Sequence, residues 1–206
     1  MTMTTERVAI VLAAGASTRY GGRSKALLDI SGELAVVRLI RICREEGYSP
    51  RVVVGLHIAE VREVLRSTSA EVVENTDWAR GRTGSLQKGL EGVPPEASVL
   101  LWPVDHPFVQ AKTLRRLGTV AEHDAMGVWF IPTFEGFGGH PVLLQPSVIS
   151  RIREVPSETP LRSLQPEFGP QVVRVPVDDP GVRANVDTVE DYQRFQYLGS
   201  TSGDSG

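Results

Sequence analysis

Short apolar runs alternate along this chain with segments in which apolar residues recur at helical spacing. The first run, residues 8–12, ends in Ala13-Ala14-Gly15 and predicts a buried parallel strand that leads into a loop. At 33–46 the apolar residues have helical spacing and Gly47 supplies a stop, which predicts a helix. The same reading predicts strands at 51–54, 71–73, 98–101 and 127–131 and helices at 59–66, 84–90 and 111–122.

The pattern is less regular after residue 131. A Gly-rich turn at 136–139 precedes a predicted strand at 141–144, helices near 147–153 and 161–165, a strand at 172–175, and a last helix that begins at Val189. Strands interleaved with helices predict an α/β fold, a three-layer α/β/α sandwich around a mixed, mostly parallel sheet. Because no linker or repeat interrupts the order, residues 1–198 are predicted to form one domain and the Gly/Ser-rich residues 199–206 a disordered tail.

The composition of the chain argues against several classes of protein. The chain has 206 residues with 22 Lys+Arg against 25 Asp+Glu, a net charge of −3, which disfavours binding to a polynucleotide. No segment approaches the roughly 20 apolar residues of a membrane span, and no signal peptide is evident. The single cysteine, Cys43, lies in a helical pattern and is predicted to be a core residue. These features predict a cytoplasmic protein with neither a nucleic-acid nor a membrane partner.

The most informative segment is the Gly-rich loop that follows the first predicted strand. It contains Gly15, Gly21 and Gly22 together with two cations, Arg19 and Lys25. Backbone N–H groups of such loops bind phosphate oxygens, and the cations offset the charge of a triphosphate. The spacing is neither that of a P-loop, which needs Lys directly after its second Gly, nor that of G-x-G-x-x-G. The alternative to phosphate binding is that this Gly-rich loop is an ordinary turn between a strand and a helix.

The sequence of residues 12–28, LAAGASTRYGGRSKALL, resembles the signature of the molybdenum-cofactor nucleotidyltransferases. Later stretches agree with that family in order and spacing: NTDWARGRTGSL at 75–86, PVDHP at 103–107, GHPVL at 139–143 and DTVED at 187–191. The resemblance spans nearly the whole chain. It implies a Rossmann-like nucleotidyltransferase fold and the transfer of a nucleoside monophosphate from an NTP to a phosphorylated acceptor, with release of pyrophosphate.

The resemblance also implies roles for individual residues. Arg19 and Lys25 are the expected catalytic residues, and the implied cofactor, Mg²⁺, is expected at Asp105 and Asp187. His140 is expected to bind the acceptor. The expected nucleotide-binding residues are Leu12, Ala13, Ala14, Gly15, Lys25, Arg80, Gly84 and Ser85.

Several of these residues have a structural alternative. Asp105 follows a predicted strand, where ligands of parallel sheets bind, but an isolated Asp in a loop is often a turn former. Asp187 and Ser85 could instead cap helices. The four histidines lack the spacing of metal ligands, so zinc chemistry is not expected.

The base and the acceptor remain open at this stage. Ala14 and Asp187 resemble the cytidylyl branch of the family, which favours CTP, whereas the spacing between Gly21 and Lys25 resembles the guanylyl branch and favours GTP. Molybdopterin cofactor is the leading acceptor, with a molybdoenzyme that receives it as the implied partner, and a sugar or alcohol phosphate is the alternative. A non-catalytic nucleotide-binding regulator or cofactor chaperone is a hypothesis from a different class, which the combination of Arg19, Lys25 and Asp105 disfavours.

Overall fold

Ten strands and seven α-helices make up the described part of the chain in the computed structural model, which describes residues 6–15 and 22–199. The strands are β1 (Arg7–Ala13), β2 (Asp29–Ile30), β3 (Glu33–Leu34), β4 (Ser49–Val54), β5 (Glu71–Glu74), β6 (Ser98–Pro103), β7 (Trp129–Phe134), β8 (Phe137–Gly138), β9 (Val142–Leu144) and β10 (Val172–Pro176). The helices are α1 (Ala35–Glu45), α2 (Ile58–Leu65), α3 (Arg82–Gly89), α4 (Ala111–His123), α5 (Pro146–Glu154), α6 (Gln165–Phe168) and α7 (Val189–Phe195).

The main sheet has the strand order β10-β7-β9-β6-β1-β4-β5, with β8 beside β7. The central strand β1 pairs in parallel with both β4 and β6. Strand β9 runs antiparallel to its two neighbours, β6 and β7, while β10 is parallel to β7. Because the chain continues from β1 to one side of the sheet and later returns to the other side at β6, a topological switch point lies between β1 and β6.

Each face of the sheet buries its own hydrophobic core, because successive side chains of a strand point to opposite faces. One core contains Ala9 and Val11 of β1 and is covered by apolar residues of α1, α2 and α4. The other contains Val8 and Ile10 and is covered by residues of α3 and α5. The mixed, mostly parallel sheet between two helical layers confirms the predicted fold class.

Cys43 lies in the first of these cores and is 0% exposed. Burial raises the pKa of its thiol well above the ordinary range. The prediction that Cys43 is a core residue is confirmed.

Boundaries differ from the prediction where local turns interrupt the periodicity. The helix predicted at 33–46 begins at Ala35, since β2 and β3 form a small antiparallel hairpin just before it. The strand predicted at 127–131 begins at Trp129, because the Asp124 carboxylate accepts hydrogen bonds from the N–H groups of Met126 and Gly127 and holds them in a turn.

The end of the described chain is also more ordered than expected. Gly199, predicted to begin the tail, is buried in a 3-10 helix, Gln196–Gly199, and residues 200–206 lie outside the described residues. No helix in the described ranges is both long enough and apolar enough to cross a membrane.

A buried carboxylate, Asp179, joins the start of α4 to the segment that leads toward Asp187. Asp179 is 0% exposed. Its two oxygens accept hydrogen bonds from the N–H groups of Gln110 and Gly181, each at 2.9 Å, and from the hydroxyl of Thr113 at 2.6 Å. Because Gln110 directly precedes α4, the carboxylate satisfies donors at the N-terminus of that helix.

We expect Asp179→Ala to lower the free energy of unfolding by roughly 3 kcal/mol, because it leaves two buried donors and one part-buried donor without an acceptor. Urea unfolding at neutral pH measures the change. The matched control is Asp178→Ala, which removes an exposed carboxylate one residue earlier and should change stability by less than about 0.5 kcal/mol. Equal stabilities of the two variants would contradict the anchoring role of Asp179.

Candidate active site

A cavity of about 310 Å³ lies at the carboxyl ends of β1 and β6, beside the switch point. Its wall is built from five separate stretches of the described chain: the end of β1, the segment around Lys25, the start of α3 with the turn before it, the loop that carries Asp105, and the loop that carries Asp187. The predicted site residues that line it are Leu12, Ala13, Ala14, Gly15, Lys25, Ser85, Asp105 and Asp187. We call this space the donor cavity.

Lys25 and Asp187 meet across the donor cavity. The Lys25 ammonium donates a hydrogen bond to Asp187 Oδ1 at 2.6 Å, and the Asn185 amide donates to Asp187 Oδ2 at 3.1 Å. The Lys25 side chain is 13% exposed, so much of its charge is shielded from bulk water and the carboxylate offsets its desolvation.

The final helix is capped by a different residue. The Thr188 hydroxyl accepts from the N–H of Asp191 at 3.1 Å, and the Asp191 carboxylate accepts from the N–H of Thr188 at 2.9 Å, which is a complete capping box. The alternative that Asp187 caps this helix is therefore wrong.

Asp105 lies at the mouth of the same cavity with its side chain 9% exposed. Its Oδ2 accepts a hydrogen bond from Arg82 Nη2 at 3.0 Å, whereas its Oδ1 is buried and has no hydrogen-bond partner among the described residues. The loop is fixed through its backbone, because the Trp102 indole donates to the His106 carbonyl at 3.0 Å and the N–H of Val186 donates to the Asp105 carbonyl at 2.7 Å. A buried carboxylate oxygen without a partner is a position where a cation or a donor is needed.

The oxygen donors around Asp105 suit a hard divalent cation whose remaining ligands are oxygen atoms of its substrate. Within the described ranges no three His, Cys, Asp or Glu side chains form a metal-binding group. Mg²⁺ is commonly bound by one or two carboxylates together with phosphate and water oxygens, which is the set that Asp105, Asp187 and a triphosphate would supply. The carboxylates therefore fit the cofactor that the sequence implied.

Ser85 lies inside α3 rather than at its end. Gly81 precedes the helix, and the Ser85 hydroxyl donates to the Gly81 carbonyl at 3.1 Å while it accepts from the Asn75 amide at 3.0 Å. Both side chains are buried. The capping alternative for Ser85 is wrong, and Asn75, which sequence reasoning did not single out, holds the serine in place.

The structure does not bring Arg80 and Gly84 to the donor cavity. The exposed guanidinium of Arg80 donates to Glu158 at 3.0 Å, and the N–H of Gly84 donates to the Ser157 carbonyl at 3.0 Å. Both contacts are made to the loop at 156–160, whose residues do not line the donor cavity. Arg82 lines the cavity instead. Arg19 lies outside the described residues, so its catalytic role stays a prediction.

A larger cavity of about 750 Å³ adjoins the donor cavity along the sheet, and we call it the acceptor cavity. The two cavities share Leu12, Arg82 and Pro103. The floor of the acceptor cavity is apolar and includes Leu101, Trp129, Ile131 and Val142.

His106 and His140 line the acceptor cavity with their ring centroids 5.0 Å apart. The pKa of His106 is lowered to about 4 and that of His140 to about 3, chiefly by burial, and the nearby Arg82 guanidinium contributes to both of these shifts. Both rings are therefore neutral at pH 7. The Nδ1 atom of each ring is buried with no hydrogen-bond partner among the described residues. His140 was predicted to face an acceptor, whereas His106 was missed although it stands beside Asp105 in the PVDHP motif.

These two histidines should make the unliganded protein less stable as the pH falls from about 6.5 toward 4. In this range the unfolded chain binds a proton on each ring and the folded protein does not, so each ring costs about 1.4 kcal/mol per pH unit. The free energy of unfolding, measured with urea between about pH 7 and pH 5, should depend less steeply on pH in the double variant His106→Gln/His140→Gln than in the wild type. The same pH dependence in the variant and the wild type would contradict the neutral state of the pair.

Comparisons with known proteins agree with this architecture. The family model for the MobA-like NTP transferase domain matches residues 9–182. The 2-C-methyl-D-erythritol 4-phosphate cytidylyltransferase of Geobacillus kaustophilus is 30% identical over 118 residues, which cover 55% of this chain. The chain spans about half the length of that curated relative, 52%.

Two solved structures show the same fold over nearly the whole chain. The crystal structure of Rv0371c from Mycobacterium tuberculosis H37Rv has a TM-score of 0.82 and 26% identity, and the match covers 95% of this chain and 100% of that one. The crystal structure of Rv0371c in complex with manganese has a TM-score of 0.77 and 24% identity, with 95% and 100% covered. The family match extends from β1 to the segment before Asp187, and it includes the residues that the two cavities share. This chain therefore belongs to the MobA-like NTP transferase domain family.

Proposed function

We propose that this protein transfers a nucleoside monophosphate from an NTP, CTP in preference to GTP, to a phosphorylated small molecule and releases pyrophosphate. The observation that carries the proposal is that two adjoining cavities meet at Arg82, beside the carboxylate of Asp105. The smaller cavity would take the nucleotide and the larger one the acceptor. Two ligands held on either side of one charged junction are what a transfer between them needs.

The donor cavity offers the groups that a triphosphate requires. Residues Ala13 to Gly15 border the cavity at the end of β1, and Lys25 lines it from a separate segment of the chain. A phosphate would exchange its hydration for these donors and for the guanidinium of Arg82. We propose that Lys25, and Arg19 from the same loop, stabilise the charge that builds up on the triphosphate during transfer.

The acceptor would react through its phosphate. An oxygen of that phosphate forms a bond to the α-phosphorus of the NTP, and the bond from this phosphorus to the β-phosphate oxygen breaks, so that pyrophosphate leaves with the electron pair. Two anions approach each other in this step, and Arg82 lies where they meet. His106 and His140, which are neutral, can offer hydrogen bonds to the acceptor without adding charge.

We propose that Asp105 and Asp187 hold a divalent cation, Mg²⁺ in the cell. A cation at this position would reduce the repulsion between the triphosphate and the attacking phosphate. The buried and unpartnered Oδ1 of Asp105 supports this role. The manganese complex of the structural neighbour Rv0371c is consistent with a divalent metal in this fold.

The base and acceptor assignments rest on different observations. The curated relative is a cytidylyltransferase that acts on 2-C-methyl-D-erythritol 4-phosphate, which supports CTP and a phosphorylated acceptor. We propose molybdopterin cofactor as the acceptor and a molybdoenzyme as the partner that receives the product. The same relative favours a sugar or alcohol phosphate as the second candidate acceptor.

The decisive experiment measures pyrophosphate release from CTP or GTP with Mg²⁺ and either molybdopterin or 2-C-methyl-D-erythritol 4-phosphate. We expect release to require CTP together with one acceptor, and to fall by roughly 10²–10³ in Lys25→Ala, which removes a preorganised positive charge. Release with GTP at least as fast as with CTP would contradict the base preference. Tight CTP binding with no release for either acceptor would favour the non-catalytic regulator.

Asp105→Asn should abolish Mg²⁺-dependent turnover while the protein stays folded. The substitution keeps the shape of the side chain and removes its charge, and the loop backbone is held by Trp102 and Val186 independently of that charge. We expect Mn²⁺ binding, measured by electron paramagnetic resonance in the presence of CTP, to weaken by at least about tenfold. Asp178→Asn, on the exposed surface, is the control and should bind Mn²⁺ like the wild type. Unchanged Mn²⁺ affinity and turnover in Asp105→Asn would remove the metal role.

A further inference from the structure

The two carboxylates that the proposed function assigns to the divalent cation are each paired with a cationic side chain. Lys25 Nζ lies 2.6 Å from Asp187 Oδ1, and Arg82 Nη2 lies 3.0 Å from Asp105 Oδ2. Two carboxylates and two cationic groups balance, so these four side chains together carry no net charge. A divalent cation therefore adds two positive charges to a site that is already neutral.

The two cationic side chains differ in how much of each is exposed to water. The Lys25 side chain is 13% exposed, whereas the Arg82 side chain is 67% exposed although its partner, Asp105, is 9% exposed. Water can solvate an exposed guanidinium that leaves its carboxylate, but it cannot reach an enclosed ammonium in the same way. Of these two cations, Arg82 is therefore the one that can move.

Asp105 needs one counter-charge and has no room for two. Its Oδ1 has no hydrogen-bond partner among the described residues, and the nearby ring of His106, whose Nε2 is 3.9 Å from that oxygen, is neutral at pH 7. A divalent cation bound at about 2 Å from either carboxylate oxygen would lie within roughly 6 Å of the Arg82 guanidinium. Because little water separates charges in this enclosed position, the cation and the guanidinium would repel each other.

Arg82 has a second cavity to turn to. It lines both the donor cavity and the acceptor cavity, whereas Asp105 lines only the donor cavity. The backbone beside it is held at the start of α3, because the N–H and the hydroxyl of Ser85 both donate to the Gly81 carbonyl, at 3.2 Å and 3.1 Å. The side chain can therefore leave Asp105 for the acceptor cavity without a change in the helix.

We infer that Arg82 and the divalent cation are alternative partners of Asp105, and that Arg82, once displaced, binds the anionic group of the acceptor. The inference rests on the proposed function, which places the cation at Asp105 and the acceptor in the larger cavity. It makes Arg82 an acceptor-binding residue whose availability depends on the cation. The acceptor is consequently bound in its reactive position only after the cation and the nucleotide are in place.

Mn²⁺ alone tests the competition for Asp105 without nucleotide or turnover. Electron paramagnetic resonance of the full chain measures the affinity for Mn²⁺. We expect Arg82→Gln to bind Mn²⁺ at least about fivefold more tightly than the wild type, because Asp105 no longer has a competing cation. Arg82→Lys keeps a positive charge at this position and should bind Mn²⁺ as weakly as the wild type. A gain in affinity cannot be mimicked by a variant that fails to fold.

A matched control separates direct competition from a general loss of positive charge. Arg183→Gln removes an exposed arginine that lines the acceptor cavity and whose guanidinium carbon lies 4.8 Å from the centroid of the Phe137 ring. Its affinity for Mn²⁺ should stay within about twofold of that of the wild type. An equal gain in affinity in Arg82→Gln and Arg183→Gln, or no gain in Arg82→Gln, would overturn the competition.

Nuclear magnetic resonance tests the second half of the inference, the binding of an anion by displaced Arg82. The Nε–Hε signal of Arg82 is assigned by its absence from the spectrum of Arg82→Lys. The donor cavity is filled with a CTP analogue in which a methylene group joins the α- and β-phosphorus atoms, so pyrophosphate cannot leave. Inorganic phosphate is then titrated as the probe. We expect phosphate to shift the Arg82 signal when Mg²⁺ is present and to leave it unchanged when Mg²⁺ is removed with a chelator. The same shift with and without Mg²⁺, or no shift in either case, would overturn this half.

The outcomes distinguish this inference from the proposed function. If the wild type releases pyrophosphate with an acceptor but Arg82→Gln binds Mn²⁺ no more tightly, the exchange at Asp105 is wrong and nucleotidyl transfer stands. If Arg82→Gln binds Mn²⁺ more tightly and the phosphate shift requires Mg²⁺, but no combination of NTP and acceptor gives pyrophosphate, the exchange stands and the transfer reaction is wrong.

Discussion

The parallel pairing of β1 with β4 on one side and β6 on the other determines where this protein can bind ligands. In register, Leu12 lies beside Val53 and Pro103, so the carboxyl ends of three strands stop at one level. Parallel neighbours must be joined by crossovers through helices, and the crossovers that flank β1 run to opposite sides of the sheet. The backbone at Ala13–Gly15 and the loop that carries Asp105 are consequently placed on either side of one crevice.

The loop around Asp105 is held by contacts to its backbone that leave Oδ1 of the Asp105 side chain without a hydrogen-bond partner among the described residues. The Trp102 indole and the N–H of Val186 fix two of its carbonyls, and the buried Arg38 guanidinium donates to a third, that of Pro107, at 3.1 Å. Asp179 fixes the start of α4 and the approach to Asn185 from the other side. Since these hydrogen bonds hold the backbone of the loop, the Asp105 carboxylate is positioned before any ligand binds. Such positioning is the condition for electrostatic stabilisation without reorganisation.

The sequence predicted what strong periodicity and local motifs can encode. Strand β1, helix α1 and the alternation of strands with helices along the chain follow from apolar spacing, and most residues that line the donor cavity belong to the motifs. Two-residue strands such as β2 and β3 have no period to detect. Which of Arg80 and Arg82 lines the donor cavity could not be read locally, because both belong to one motif and the backbone turns between them at Gly81, where φ is 115°. His106 was missed for a similar reason, since its neutrality comes from burial by segments distant in sequence.

The charged side chains of the two cavities differ in how much of each is exposed to water. Lys25 and Asp105 are largely shielded, and each is paired with an opposite charge, because an uncompensated buried charge would cost several kcal/mol, as a rough figure. Arg174 and Arg183 remain exposed, so water can solvate them without a carboxylate partner. If a phosphate engages Lys25 or Arg82, as proposed, it adds negative charge beside the carboxylate of Asp187 or Asp105. Binding of a polyphosphate and of a divalent ion beside Asp105 and Asp187 would therefore support each other, since each restores the charge balance that the other disturbs.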